Sequence, residues 1–257
     1  MPTSAYETQI LQELHAWQQQ MLKSPSLLNH LTRGLQQKVN SYIPEKVHQA
    51  ITATIKQMIR AVLFGAKHTT GKPALPLTLE EKEAAVKQRI EIYKKTAAAE
   101  GGLTGAAGFL LGLTDFPLLL SIKLKMLFDI ASLYGYPVDD YRERVYLLHI
   151  FQLAFSGQQH RREVYLQMVD WETKKDLLPQ DIHEFDWRNL QQEYRDYIDI
   201  PKMAQMIPVI GAPVGAVVNY RLLQKLGTTA MNAYRMRWKE QSTLNLSSGP
   251  GPTPLLP

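Results

Sequence analysis

The sequence predicts an all-α protein: a compact multi-helix bundle with two glycine-faced apolar helical segments packed together and a disordered C-terminal tail. Three observations predict it. Apolar residues recur at spacings of three and four in nearly every segment, the period of a helix with one buried face. Pairs able to form capping boxes, Ser4 with Glu7, Thr78 with Glu81 and Asp140 with Glu143, stand where those runs begin. No run alternates polar and apolar residues in the manner of a strand.

The first helix follows Ser4 and places Ile10, Leu14, Trp17 and Met21 on one stripe. A weaker helix over Leu27–Tyr42 is stopped by Pro44, and a third over Val47–Phe64 aligns Ile51, Ile55, Met58 and Val62. After the loop GKPALPLT at 71–78, Thr78 opens a helix whose Glu83–Lys87 and Lys87–Glu91 pairs mark an exposed face. That helix runs on to about residue 112, bent at Gly101–Gly102. TDFP starts the next one, with Asp115 as cap and Pro117 in the first turn. It is apolar but for a stripe of Ser121, Lys125, Asp129 and Ser132, with Lys123 off the stripe, and it stops at Gly135. VYLLHIFQLAFS is apolar almost all round, which places it in a large core or in lipid. The acidic stretch 160–199 holds two amphipathic helices, the second carrying Trp187, Leu190, Tyr194 and Tyr197. MAQMIPVIGAPVGAVVNY at 203–220 has no charge, and a final helix ends in AYRMRWKEQ. The domain covers 3–243, and the tail 244–257, with its SSGPGPTPLLP, reads as disordered.

Gly101, Gly105, Gly108 and Gly112 follow one another at spacings of 4, 3 and 4, one face of a helix. Gly211 and Gly215, with Asn219, repeat the pattern. Smooth faces of this kind let helix backbones approach closely. The charge-free stretch 101–114 reaches about 21 Å as helix and 203–220 about 27 Å, both short of a bilayer core of about 30 Å. Such lengths fit buried core helices or shallow membrane insertions.

The chain has no cysteine, which excludes disulfides, thiolate metal sites and a cysteine nucleophile. Its start, MPTSAYETQILQEL, does not read as a signal peptide. The net charge of +5 divides into +6 over 1–95, −1 over 96–138, −5 over 139–199 and +5 over 200–257. Either the acidic and basic segments face each other, or a basic face meets an anionic surface. Arg221, Lys225, Tyr234, Arg235, Arg237, Trp238 and Lys239 are the membrane-contact candidates, since cations mixed with Tyr and Trp suit a headgroup layer.

No H-E-x-x-H, G-x-S-x-G or G-x-G-x-x-G is present, and GAKHTTGKP fails as a phosphate loop because Pro73 stands where Ser or Thr is required. Glu100, Asp115, His149 and Asn219 are candidate buried polar residues. His149 reads first as a core histidine. No catalytic residue, cofactor or metal is assigned, and nothing indicates nucleic acid.

Residues 97–136, followed by RERVYLLHIFQLAFSG and MIPVIGAPVGAVVNYRL, resemble the EcsC protein family, and the resemblance runs from YETQILQELHAW to about Trp238. It implies a helical, bacterial protein. Some members of the family are encoded beside subunits of an ABC transporter, so it also implies a membrane-linked role; it supplies no catalytic residues. The expected protein is a non-enzymatic accessory on the cytoplasmic face of the membrane, peripheral to it, with an anionic membrane surface as partner and a link to a transporter subunit. Two other readings stay open: a helical protein holding an apolar ligand or partner helix in a glycine-walled groove, and an enzyme using Glu100, Asp115 or His149.

Overall fold

A computed structural model describes residues 4–23, 45–65, 77–107, 109–184, 186 and 211–247. These residues form helices and no sheet: α1 (Ala5–Leu22), α2 (Glu45–Gly65), α3 (Leu79–Ala107), α4 (Phe109–Tyr134), α5 (Tyr141–Phe155), α6 (Gln158–Met168), the single turn α7 (Trp171–Lys174) and the long α8 (Gly211–Ser247). The helices expected over 27–42 and 187–199, and the glycine-segment residues 203–210, lie outside the described residues. The last helix continues to Ser247, past the boundary expected at 243.

The helix ends follow the capping chemistry. The Ser4 hydroxyl accepts from the Glu7 amide at 3.1 Å. Thr78 and Glu81 bond reciprocally, at 2.8 and 3.3 Å, as a complete capping box. Asp140 accepts from the Arg142 amide at 2.9 Å, but Glu143 does not reach back; it is buried and paired elsewhere. Gly135, at φ +95°, ends α4: Tyr136 N–H bonds to Ala131 C=O and Gly135 N–H to Ser132 C=O. Only glycine adopts that conformation without strain.

α3, α4 and α8 make one layer. Glu83 meets Arg235, and Lys94 meets Gln224, so α3 and α8 are antiparallel. Between those points Gly227 lets α8 close on α3: a Cβ there would lie 2.7 Å from Ile90 Cδ1. Tyr93 bonds Asp129, and Lys82 bonds the Tyr134 carbonyl, so α3 and α4 are also antiparallel. Lys123–Asn219 and the stacked Tyr134–Tyr234 rings set α4 parallel to α8. Against this layer lies α5, every residue of which is buried except Arg142. Its nearly continuous apolar surface is satisfied by protein. α1 and α2 add the expected stripes, with Ile10, Leu14, Ile55, Met58 and Val62 all buried.

Two expectations about the glycine region are corrected. α3 stops at Ala107, and α4 starts at Phe109 and runs the other way. Gly101 and Gly105 therefore belong to α3 and Gly112 to α4, so the four glycines do not share one helix face. Asp115 does not start a helix, and Pro117 lies inside α4. Proline removes one backbone donor there. The Ser121 hydroxyl donates to the Pro117 carbonyl at 2.8 Å. Packing of the apolar run outweighs the local signal, as the complete burial of Leu119 shows.

Candidate functional site

The layer has two unlike ends. At one, α4 turns through Gly135 into α5, and the start of α3 and the second half of α8 lie alongside. This end holds two buried arginines that were expected on a membrane face.

Arg235 is 5% exposed and Glu83 is 0% exposed. Arg235 Nε and Nη2 donate to the two Glu83 oxygens at 2.7 and 2.6 Å, a bidentate pair. Glu13 adds a second carboxylate at 3.1 Å, and Tyr6 donates to Glu83 at 2.8 Å. Burial acts against the Arg235 charge, but its bonds to Glu83 hold the guanidinium above its ordinary pKa. Glu83 is thus a core residue, and the exposed Glu83–Lys87 pair expected on α3 does not form.

Arg237 is 2% exposed and bonds two buried carboxylates, Glu143 through Nη1 and Glu172 through Nε. Its guanidinium lies 3.7 Å from the centre of the Tyr136 ring and 4.8 Å from that of Tyr146. Tyr234, 0% exposed, donates to Glu143 at 2.6 Å. Burial pushes the Glu143 pKa up, against the pull of Arg237. Burial acts the same way on Glu172, but Arg237 and Lys175 hold that carboxyl below its usual range. Tyr234, Arg235 and Arg237 therefore do not contact a membrane in this structure. An unpaired buried charge is prohibitive, and each guanidinium instead lies against carboxylates of other helices. This is also how the basic C-terminal segment meets the acidic 139–199 stretch: Arg237 bonds Glu143 and Glu172. Trp238 is half-buried and Lys239 exposed.

A cavity of about 410 Å³ opens over this cluster, lined by Lys82, Tyr136, Arg142, Trp171, Lys175 and Arg237 among others. Sequence reasoning missed Glu83, Glu143, Glu172 and the cavity residues. The signal was available in α8: Ala230, Met231, Ala233 and Met236 surround the arginines on every side, the mark of a helix buried all round.

His149 is a core residue. Burial lowers its pKa from 6.5 to about 4, so the ring is neutral; Nδ1 lies 3.4 Å from Gln152 Oε1 and the ring packs edge-on to Trp171. Asn219, 1% exposed, accepts from the buried Lys123 ammonium at 3.3 Å. The side-chain surroundings of Glu100, Asp115 and the glycines at 101, 105, 108, 112, 211 and 215 lie outside the described residues. Among the described residues, no group of three or more His, Asp or Glu is placed to hold a metal.

The opposite end gathers the end of α3 and the starts of α4 and α8. Asp115 is the one charged residue in 101–120 and 211–220. Leu118 is 52% exposed, Val217 49% and Tyr220 39%. Just behind them Arg221, Lys225 and Lys95 are exposed, and Lys94 Nζ lies 4.2 Å from the centre of the Tyr220 ring. No helix among the described residues is long and apolar enough to cross a membrane.

A family model described as the EcsC protein family matches residues 8–238. The chain is 43% identical over 229 residues to "Protein EcsC" of Bacillus subtilis (strain 168), an alignment covering 89% of this chain and 94% of that one. It is 26% identical over 262 residues to "Uncharacterized protein YdbA" of the same strain, covering 92% and 95%. No solved structure matches. With the all-helical architecture in place and nearly the whole of both relatives aligned, the chain belongs to the EcsC protein family.

Proposed function

We propose that the protein is a non-enzymatic accessory that docks peripherally on the cytoplasmic face of a membrane, beside a transporter subunit, and that the charge-poor end of the α3–α4–α8 layer enters the lipid interface. The observation that carries this reading is topological. The fold brings two separate charge-poor stretches, 101–120 and 211–220, to one end, with Leu118, Val217 and Tyr220 exposed there. A charge-poor tip with a collar of Tyr and cations suits an interfacial insertion. Arg221, Lys225 and Lys95 replace Arg235 and Arg237 as the lipid-facing cations. At about 1 kcal/mol each near an anionic surface, the three together strengthen binding by about a hundredfold at low salt. The transporter link rests on what the family resemblance implies.

Co-sedimentation with vesicles tests the proposal. The protein is expected to pellet with phosphatidylglycerol vesicles and not with phosphatidylcholine vesicles, and to be released near 1 M salt, where screening shortens to about 3 Å. Leu118→Glu with Val217→Glu, and separately Arg221→Glu with Lys225→Glu, should abolish pelleting without changing the melting temperature, since all four side chains are exposed. Retention of pelleting by both double variants would refute the assignment.

A further inference from the structure

At the end of the layer remote from the charge-poor tip, the cavity over the Arg237 cluster has the volume and charge of a ligand site. Its volume of about 410 Å³ falls within the range of about 300–1,000 Å³ usual for small-molecule sites. Four cations line it, Lys82, Arg142, Lys175 and Arg237, against two carboxylates, Asp140 and Glu143.

The carboxylates are already committed. Glu143 is bonded by Arg237 and Tyr234, and Asp140 caps α5 through the Arg142 amide. Glu172, behind the wall, holds Arg237 and Lys175. Two cations are left over. Among the described residues, Lys82 bonds only the Tyr134 carbonyl, at 3.0 Å, and forms no ion pair. Arg142, among the same residues, forms an ion pair with Asp176 alone, at 3.9 Å and largely exposed.

Two cations without a close carboxylate on the wall of one cavity call for an anionic partner. Tyr136, Pro137 and the Trp171 ring supply apolar wall for a carbon body.

We infer that this cavity binds a small organic anion, carrying a carboxylate or phosphate group, taken from solution rather than from the bilayer. The anionic group pairs with Arg142 and Lys82. The site is independent of the membrane reading, because none of its residues belongs to the charge-poor tip.

Calorimetry and thermal melting with citrate and with inorganic phosphate, at ionic strength held constant with chloride, test it. The expected result is saturable heat and a saturable rise in melting temperature for at least one of the two. Arg142→Gln and Lys82→Gln should each weaken binding about tenfold or more, the effect of losing a hydrogen bond to a charged group. Arg221→Gln, at the other end, should bind as the native protein does. Arg142→Gln removes no buried pair, so it carries the test if Lys82→Gln fails to fold. Equal responses to chloride, or unchanged binding by Arg142→Gln, would overturn the site. Displacement of bound citrate or phosphate by phosphatidylglycerol vesicles would overturn the assignment to a ligand from solution.

Discussion

Arg237→Met separates a buried structural arginine from a lipid-facing one. The substitution keeps an unbranched apolar stem and removes the guanidinium. It leaves Glu143, 3% exposed, and Glu172, 8% exposed, without their shared cation. Removing one member of a buried ion pair costs about 3–5 kcal/mol. Loss of the guanidinium from the Tyr136 face, 3.7 Å away, adds about 1 kcal/mol. Against a usual total of about 5–15 kcal/mol, this is a large fraction. For a chain of 257 residues, about 2 °C of melting temperature corresponds to each kcal/mol, so the expected fall is about 8–12 °C. Circular dichroism melts and urea titrations measure it. Adding Glu143→Gln and Glu172→Gln to Arg237→Met should recover part of the loss, because the uncompensated charges go with them. The control is Lys239→Met, an exposed cation two residues on, expected to shift the midpoint by less than about 1 °C. Equal effects of Arg237→Met and Lys239→Met would refute the buried-cluster reasoning and return Arg237 to the surface.

Three further outcomes are expected. His149 titrates near 4 in the fold against 6.5 when exposed, so the unfolded chain binds the extra proton between those values and stability falls as pH drops through that window, by up to about 3 kcal/mol; His149→Gln should flatten that part of the pH–stability curve, and an unchanged slope would contradict the burial. Gly227→Ala should destabilise by about 1–3 kcal/mol in urea titrations, although alanine favours helix, because its Cβ would lie within 3.0 Å of three Ile90 side-chain atoms; Ile90→Ala should relieve the clash, and a stabilised Gly227→Ala would show that α3 and α8 are farther apart. The α3–α8 register set by Ile90–Gly227 and Lys94–Gln224 projects Gly101 to the level of Ala216, so Gly101→Cys with Ala216→Cys should form a disulfide in a chain with no other cysteine, and failure of that pair and its one-residue neighbours to crosslink would contradict the packing of the two glycine segments.

The periodicity of the sequence was enough for the all-helical class, for most element positions and for the caps at Ser4, Thr78, Asp140 and Gly135. It misplaced features decided by tertiary packing. Pro117 is a sound helix-start signal, yet it lies inside α4, because burial of the surrounding leucines outweighs one lost backbone bond. The 4, 3, 4 glycine spacing suits a single helix, but Gly105 and Gly112 lie on two antiparallel helices, a division that no local signal marks. Gly227, where close approach is visible, drew no notice because it stands alone in a helical run. Arg235 and Arg237 were read by composition as a basic surface. Their partners come from positions 13, 83, 143 and 172, a pairing that only the fold supplies. Glu143 fits a capping box by spacing, but Arg237 and Tyr234 take both its oxygens.

The central claim, that the charge-poor end of the layer enters the lipid interface, is tested most directly by an environment-sensitive fluorophore on single introduced cysteines. The chain has no cysteine of its own, and the 26 residues of α4 separate the two ends by about 39 Å. Labels on Leu118→Cys and Val217→Cys are predicted to brighten and shift to the blue on mixing with phosphatidylglycerol vesicles, while a label on Lys239→Cys stays unchanged. A response at Lys239→Cys with none at Leu118→Cys or Val217→Cys, or no response at any of the three, would contradict the account.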